Sequence, residues 1–222
     1  MHGDLMNDVA KRYLWLVALM ATIGFVADQT SKYVVFTQLA TGEQRQDVVA
    51  GNFELRVMYM DKDQPTDVPV LSFLRTISSS KIPHVNKGAL FGIGNDGDGL
   101  NWFFALVSIA AAVFIVYWVR RPSVSSDRFL CLSLGMILGG TLGNLYDRLV
   151  FDGVRDFLHF YYMPEGQPAK SWPDFNIADC CLVCGAFVLL AHSFLVKEKT
   201  DEPAKSDVTA APLQTTTPAT GG

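Results

Sequence analysis

Charged residues are scarce in this sequence, and four long stretches contain no lysine, arginine, aspartate or glutamate. These four residue types make up 18% of the 222 residues, below the roughly 25% usual for soluble domains. The uncharged stretches cover residues 13–27, 99–119, 129–146 and 180–196. A membrane-spanning helix needs about 20 predominantly apolar residues, and the first stretch reaches that length once its polar flanks are included. The pattern predicts a polytopic membrane protein and excludes an ordinary soluble domain.

The sequence also lacks the motifs of several enzyme and binding classes. It has no His-Glu-x-x-His, and its histidines (His2, His84, His159 and His192) are too scattered for a helical zinc motif. It has no Gly-x-Ser-x-Gly motif of a serine hydrolase. The net charge is -4 and no basic patch with interleaved aromatics occurs. We therefore expect no nucleic-acid partner.

Cysteine is rare, and its placement favours packing over chemistry. The four cysteines all lie in apolar stretches: Cys131, Cys180, Cys181 and Cys184. Cys181-x-x-Cys184 has the spacing of a metal or redox pair, but no second pair completes a zinc site. We interpret all four as small buried hydrophobic residues.

The apolar stretches predict spans at about 13–30, 100–119, 129–149 and 176–196, within one domain of residues 1–199. The first stretch could be a cleaved signal peptide, but it ends in Ala27-Asp28 without an A-x-A site. Short loops that face the cytoplasm are enriched in lysine and arginine. Such residues precede the first span, fill the loop between the second and third, and follow the fourth: Lys11, Arg12, Arg120, Arg121, Arg128, Lys197 and Lys199. Both termini are therefore predicted to be cytoplasmic and residues 31–99 extracytoplasmic.

The segment at about 42–90 predicts a small extracytoplasmic β-sheet. Phe53, Leu55, Val57 and Tyr59 alternate with other residues, as in a half-buried strand. A turn at 61–65 and a second strand at 68–74 are expected to follow. The aromatic segment 155–163 suits the membrane interface, where we expect an interfacial helix. The predicted fold is an all-α membrane bundle of four transmembrane helices with this sheet and helix, followed by a disordered cytoplasmic tail at 200–222.

Polar residues that do occur in the spans cluster near the predicted outer ends. An Asp, Lys or Arg at mid-membrane costs about 2.5–3.5 kcal/mol on insertion scales, and such residues often mark functional sites. They come from four segments: Asp28 and Lys32; Asn86 and Gly88; Asn144, Asp147 and Arg148; Asn176 and Asp179. Any one pair could simply reach the interface from a helix end. Their agreement in depth favours a shared site.

Carboxylates are the abundant chemical group at that depth. Five fall near the outer ends of the third and fourth spans: Asp147, Asp152, Asp156, Asp174 and Asp179. Two carboxylates held together cannot both ionise easily, and the mixed state supplies both a base and an acid. The residues alone leave open which two form such a pair. Asp147 could pair with an arginine, and Asp152 and Asp174 could be turn residues beside Gly153 and Pro173.

At these residues the sequence resembles the lipoprotein signal peptidase (signal peptidase II) family. Four blocks match in order: Asp28-Gln29-x-x-Lys32; Asn86-x-Gly88-Ala89-x-Phe91; Gly139-Gly140-x-x-Gly143-Asn144-x-x-Asp147-Arg148 with Gly153-Val154-x-Asp156-Phe157; and Phe175-Asn176-x-Ala178-Asp179. Four ordered blocks across most of the chain, on a four-span frame, are far more specific than any one of them.

The resemblance implies an aspartic endopeptidase of the bacterial inner membrane with Asp156 and Asp179 as its catalytic pair. It implies prolipoprotein substrates with a lipid-modified cysteine, contact with membrane lipids, and no metal or organic cofactor. Asn86, Gly88, Asn144, Arg148 and Asn176 would bind the substrate or surround the pair. Asp28, Lys32 and Asp147 would support the helix ends. We expect a monomer.

Three features depart from the family pattern. Arg155 places a cation beside Asp156, Cys180 follows Asp179 where a small hydroxyl residue is common, and the segment 56–83 is enlarged. We expect residues 60–82 to shape access or stability without taking part in chemistry.

Two other classes of protein would use these residues differently. A transporter or proton-relay subunit should carry polar residues through the full depth of its spans. The inner halves, such as Leu14–Val17 and Phe114–Val116, are instead apolar. A structural assembly protein would leave the clustered aspartates unexplained.

Overall fold

The computed structural model describes residues 13–40, 43–60, 82–88, 99–165 and 169–201. Its long helices are α1 (Leu14–Gln38), α2 (Leu100–Trp118), α4 (Arg128–Phe151) and α5 (Ile177–Asp201), with a short helix α3 (Pro122–Ser125) between α2 and α4. All four long helices contain a segment long and apolar enough to span a membrane, in α5 the segment Ile177–Leu195. The expected four-helix bundle is confirmed. The predicted turn at 61–65, the strand at 68–74 and the tail from residue 202 lie outside the described residues.

Helix α4 is the central helix, because it packs against α1, α2 and α5. Its contacts with α1 and α5 are close because glycines face the neighbouring backbones. A Cβ atom at Gly139 would lie 2.8 Å from the carbonyl oxygen of Ala21 in α1, and one at Gly140 would overlap the carbonyl oxygen of Ala178 in α5. Small residues let membrane helices approach closely where no hydrophobic force draws them together. This approach brings polar groups on separate helices within hydrogen-bonding distance.

The sheet is antiparallel and combines distant segments of the chain. Strands β1 (Arg45–Val49), β2 (Phe53–Arg56), β5 (Leu158–Tyr162) and β6 (Lys170–Ser171) pair in the order β1-β2-β5-β6. Strands β3 (Tyr59–Met60) and β4 (Ile82–Pro83) form a separate antiparallel pair. The expected small sheet is confirmed. Its extent differs, because half of the four-stranded sheet comes from residues after α4.

The interfacial helix expected in the aromatic segment 155–163 is wrong, because strand β5 occupies it. Phe160 of β5 stacks on Phe53 of β2 with ring centroids 4.5 Å apart. Cross-strand aromatic pairs stabilise sheets. Phe160 therefore has an aromatic partner on the neighbouring strand.

The outer end of α1 joins the bundle to the sheet. The helix continues to Gln38, beyond the predicted end of the span near residue 30. This extension places Val35 and Phe36 in a buried cluster with Val57 of the β2–β3 segment and with Phe157 and Leu158. The sheet is thus packed directly on a helix of the bundle.

The cysteines are all unpaired, and only Cys131 is buried. Cys180 and Cys181 are half-buried, and Cys184 is exposed. The interpretation of all four as buried residues is therefore wrong for Cys184, which is exposed on α5.

Candidate active site

Four fully buried charged residues form an ion network between α1, α4 and the segment after α4. Lys32 Nζ lies 2.8 Å from Asp28 Oδ2 and 3.1 Å from Asp147 Oδ2. Arg155 Nη2 lies 2.7 Å from Asp147 Oδ1. Two cations and two carboxylates balance one another, which a site shielded from water requires.

A neutral residue links the two carboxylates of this network. The side-chain amide of Gln29 donates to Asp28 Oδ2 at 2.9 Å and to Asp147 Oδ1 at 3.2 Å. Its amide oxygen accepts a hydrogen bond of 2.9 Å from Arg155. Asp28 Oδ1 also accepts from the backbone amide of Ala178, at 2.9 Å, so the network reaches the start of α5. The helix-end role expected for Asp28, Lys32 and Asp147 agrees with these contacts but stays a prediction.

Arg155 points into the protein, away from solvent. Its guanidinium carbon lies 3.9 Å from the ring centroid of Phe151 and 4.5 Å from that of Tyr33. The backbone amide and Nε of Arg155 both donate to Asp147 Oδ2, at 2.9 and 3.2 Å. The cation that the sequence places beside Asp156 is thus held by Asp147 and by aromatic faces. These contacts fix the turn from which Asp156 projects.

Asp156 follows this turn and accepts hydrogen bonds from two amides. Asn176 Nδ2 donates to Oδ1 at 2.7 Å, and Asn86 Nδ2 donates to Oδ2 at 3.1 Å. The segment of Asn86 is itself held by reciprocal backbone hydrogen bonds with Val154, at 2.8 and 2.9 Å.

Asp179 lies in the first turn of α5 and forms a capping box with Asn176. The backbone amide of Asn176 donates to Asp179 Oδ2 at 3.0 Å, and the backbone amide of Asp179 donates to Asn176 Oδ1 at 3.1 Å. Reciprocal bonds of this kind satisfy amides that a helix start otherwise leaves unpaired. Asn144 of α4 donates to the second oxygen, Asp179 Oδ1, at 2.9 Å.

Asn176 therefore contacts both aspartates and is fully buried. Its side-chain amide also donates to Asn144 Oδ1 at 3.2 Å, and that oxygen accepts from Lys32 Nζ at 3.3 Å. The two aspartates thus belong to one polar cluster that adjoins the buried ion network.

The electrostatic environment distinguishes Asp156 from an ordinary carboxyl. Burial, followed by the nearby Asp179 carboxylate, raises the pKa of Asp156 to about 7. The hydrogen bonds from Asn86 and Asn176 and the charge of Lys32 oppose this rise without cancelling it. Asp156 can therefore be either protonated or ionised near neutral pH, unlike an ordinary carboxyl.

Arg148 holds the segment that carries Gly88. Its Nη2 donates to the Gly88 carbonyl at 3.0 Å, and its Nη1 donates to Asn101 Oδ1 at 3.3 Å. The guanidinium also lies over the Phe104 ring, 5.1 Å from its centroid. Arg148 and Gly88 line one cavity with Asp156 and Asp179.

Two cavities meet at Asp156. The larger, of about 570 Å³, extends along α5 past Leu182, Val183 and Cys184, and we call it the apolar cavity. The smaller, of about 250 Å³, extends over the sheet to Arg56, His84 and His159, and we call it the polar cavity. Asn86, Asp156, Trp172, Pro173 and Asp174 line both cavities.

Asp152 and Asp174 have charged partners of their own. Asp152 caps the C-terminus of α4 with a left-handed φ of 61° and pairs with Lys87 at 2.7 Å. Asp174 pairs with Arg56 at 2.8 Å, and its Oδ1 lies 2.6 Å from His159 Nδ1. Both aspartates lie in connecting segments, as the sequence indicated, but their ion pairs were not predicted.

The ten predicted site residues all lie in these connected clusters, whereas five contributing residues are given no role by the sequence. These are Gln29, which stands in a matching motif, Arg155, which departs from the family pattern, and Asn101, Arg56 and His159. Asn101 could have been noticed as the only amide in the apolar stretch 99–119.

Within the described ranges, no three His, Cys, Asp or Glu side chains are arranged to hold a metal ion.

Comparison with known proteins supplies the family. The sequence model of the Peptidase_A8 family, signal peptidase (SPase) II, matches residues 20–195. This chain belongs to the signal peptidase II family. It is accordingly a peptidase and a multi-pass protein of the bacterial inner membrane.

Individual relatives of the signal peptidase II family match most of the chain. The lipoprotein signal peptidase of Aeromonas hydrophila is 32% identical over 86% of this chain and 92% of its own length. That of Symbiobacterium thermophilum is 30% identical over 83% of this chain and 97% of its own length.

A solved structure shares the fold of this family member. It is a bacterial membrane enzyme determined by the in meso method at 2.3 Å resolution, with a TM-score of 0.60 and 22% identity. The match covers 85% of this chain and 92% of that one.

Proposed function

We propose that this chain is an aspartic endopeptidase that removes the signal peptide from prolipoproteins carrying a diacylglyceryl-modified cysteine. The name lipoprotein signal peptidase, shared by its relatives, supports the substrate class. One observation supports the mechanism: Asn176 donates hydrogen bonds to both Asp156 and Asp179, and these two aspartates line one cavity.

In the proposed reaction, Asp156 holds the shared proton and Asp179 is ionised. Asp179 takes a proton from a water molecule, and the water oxygen attacks the carbonyl carbon of the scissile peptide bond. Asp156 gives its proton to the carbonyl oxygen. The tetrahedral diol then breaks its C–N bond as Asp179 gives its proton to the leaving amine and one hydroxyl of the diol returns a proton to Asp156. The pKa of about 7 at Asp156 suits this donor role.

The neighbouring residues orient the dyad and the peptide backbone. Asn86, Asn144 and Asn176 fix the carboxylate oxygens through the hydrogen bonds described above. Arg148 holds the Gly88 carbonyl, so the segment 86–88 offers a rigid edge along which a peptide can lie. Asp28, Lys32 and Asp147 support the helix ends through the ion pairs that join α1 to α4.

Lipid modification should supply much of the substrate's binding energy. Burying one methylene group contributes about 0.8 kcal/mol, so two acyl chains outweigh most single polar contacts. The apolar cavity borders the dyad and runs along the apolar part of α5 through Leu182 and Val183. We expect strong preference for the modified precursor.

The dyad should face the extracytoplasmic side. Helix α4 begins at Arg128 and ends at Phe151, so Asp156 lies at the end opposite the cationic loop of Arg120 and Arg121. Short cationic loops stay in the cytoplasm. Both termini are then cytoplasmic, and we expect the enzyme to act as a monomer.

Incubation with a diacylglyceryl-modified prolipoprotein, followed by mass analysis, tests this function. The expected product begins at the lipid-modified cysteine. A matched precursor without the lipid should be cleaved far more slowly, and equal rates would refute the lipid preference. Absence of this product from folded enzyme would refute the activity itself.

A further inference from the structure

The two cavities differ in chemistry although they share the wall that contains Asp156. The apolar cavity continues along a segment of α5 that can span a membrane. The polar cavity lies over the sheet and is lined by ionisable side chains, among them Arg56, His84 and His159. A substrate with an apolar part and a polar part therefore meets two matching surfaces on either side of Asp156.

A paired arginine and aspartate form part of the polar wall. Arg56 Nη2 lies 2.8 Å from both carboxylate oxygens of Asp174. The side chains are 34% and 18% exposed, so each retains access to the cavity. The charges of Arg56 and Asp174 offset each other as long as both residues are present.

The Arg56–Asp174 pair is anchored from both sides. Arg56 ends strand β2, and its backbone amide donates to the Phe157 carbonyl at 2.9 Å. His159 of the adjacent strand β5 lies 2.6 Å from Asp174 and is buried. The pair is therefore held in place at the cavity instead of swinging freely into solvent.

We propose that the polar cavity binds the peptide residues on the mature side of the scissile bond, with Arg56 and Asp174 determining which side-chain charge is accepted there. This inference rests on the proposed function, because an apolar signal peptide must occupy the apolar cavity for the mature side to reach the polar one. The neutral pair accepts lysine, glutamine and glutamate with similar efficiency. Loss of either partner leaves one uncompensated charge facing the substrate.

The two single variants should change selectivity in opposite directions. Arg56→Gln leaves the Asp174 carboxylate, which favours a lysine in the substrate. Asp174→Asn leaves the Arg56 guanidinium, which favours a glutamate. A partly exposed charge supports about a three- to fivefold change in each direction. The double variant, like the parent, should accept lysine, glutamine and glutamate with similar efficiency.

The test uses three diacylglyceryl-modified precursors that differ only in the residue after the lipid-modified cysteine: lysine, glutamine or glutamate. The ratio of kcat/KM for the lysine and glutamate precursors is measured by competition within one enzyme preparation. This ratio does not depend on the fraction of folded enzyme, so partial misfolding of a variant cannot imitate the effect. Asp47→Asn, which alters a carboxylate on the exposed strand β1 of the same sheet, is the matched control.

Opposite shifts in the two single variants, cancelled in the double variant and weakened by salt, would establish the subsite. Parent-like ratios in both single variants, or the same shift in Asp47→Asn, would overturn it while leaving the proposed function intact. If the parent enzyme cleaves none of the three precursors, both the subsite and the proposed function are overturned.

Discussion

Arg155 and Asp147 form an ion pair in which neither side chain is exposed, with Arg155 Nη2 2.7 Å from Asp147 Oδ1. The backbone amide of Arg155 donates to the same carboxylate at 2.9 Å. Because Arg155 directly precedes Asp156, the pair fixes the backbone at the proposed dyad. Arg155, although adjacent to Asp156 in sequence, thus contributes by holding the backbone of the site in place.

Replacing Arg155 should destabilise the protein strongly. Arg155→Met leaves Asp147 with one fewer cation in a buried site, and breaking a buried pair costs about 3–5 kcal/mol. We expect a clear fall in the Tm of the detergent-solubilised protein. Arg121→Met, at an exposed position before α3, should change stability by less than about 0.5 kcal/mol. A parent-like Tm for Arg155→Met would contradict the importance of the pair.

The dyad assignment predicts a specific pattern of amide variants. Asp156→Asn and Asp179→Asn should each lose nearly all cleavage, since an amide can neither take a proton from water nor share one with its partner. The double variant should be scarcely worse than either single one, because the two residues act as a unit.

Asp152→Asn is the matched control for these variants. Asn tolerates the left-handed conformation of residue 152 and can still accept the hydrogen bond from Asn101. This variant should keep substantial activity in the same mass-spectrometric cleavage assay. Near-normal turnover by Asp156→Asn or Asp179→Asn, or an indispensable Asp152, would reject the assignment.

The pH dependence of cleavage should report the proton on Asp156. The acid form is required, so kcat/KM should fall as the pH rises through the pKa of about 7. The hydrogen bond from Asn86 stabilises the ionised form and lowers this pKa. Asn86→Ala should therefore raise the pKa and move the alkaline limb of the profile to higher pH. A shift to lower pH would contradict the proton assignment.

Topology can be tested by labelling single cysteines in a variant that lacks the four native ones. The cationic loop around α3 predicts that position 60 is extracytoplasmic and position 205 cytoplasmic. A membrane-impermeant maleimide should label position 60 in intact spheroplasts and position 205 only after lysis. Labelling of both positions from the same side of the membrane would contradict the proposed topology.

The spans and the candidate residues could be predicted because both leave a local signal. An apolar stretch such as 99–119 is readable as a span from length alone. Asp28 and Lys32 stand out because charge is costly in such a stretch, and their ordered motifs resemble those of one family. All of these features can be identified from the local sequence and its composition.

Other features depend on contacts that composition does not encode. Helix α1 continues to Gln38 because Val35 and Phe36 pack against Phe157 and Leu158, far along the chain. Residues 158–162 form a strand because β2 and β6 lie on either side of it. The sequence predicted a span that ends near residue 30 and an interfacial helix at 155–163, since an aromatic segment fits a helix or a strand locally.

The sequence by itself determined that carboxylates and amides would gather near the outer ends of the spans, because the membrane restricts where polar groups can lie. Only the tertiary structure decided which of them meet. Asp174 pairs with Arg56, 118 positions away, whereas Asp156 and Asp179 share Asn176. The physical reason is the close approach of backbones at glycines such as Gly139 and Gly140, together with the sheet that joins β2 to β5. Hydrogen bonds act over about 3 Å, so those packing distances select the partners.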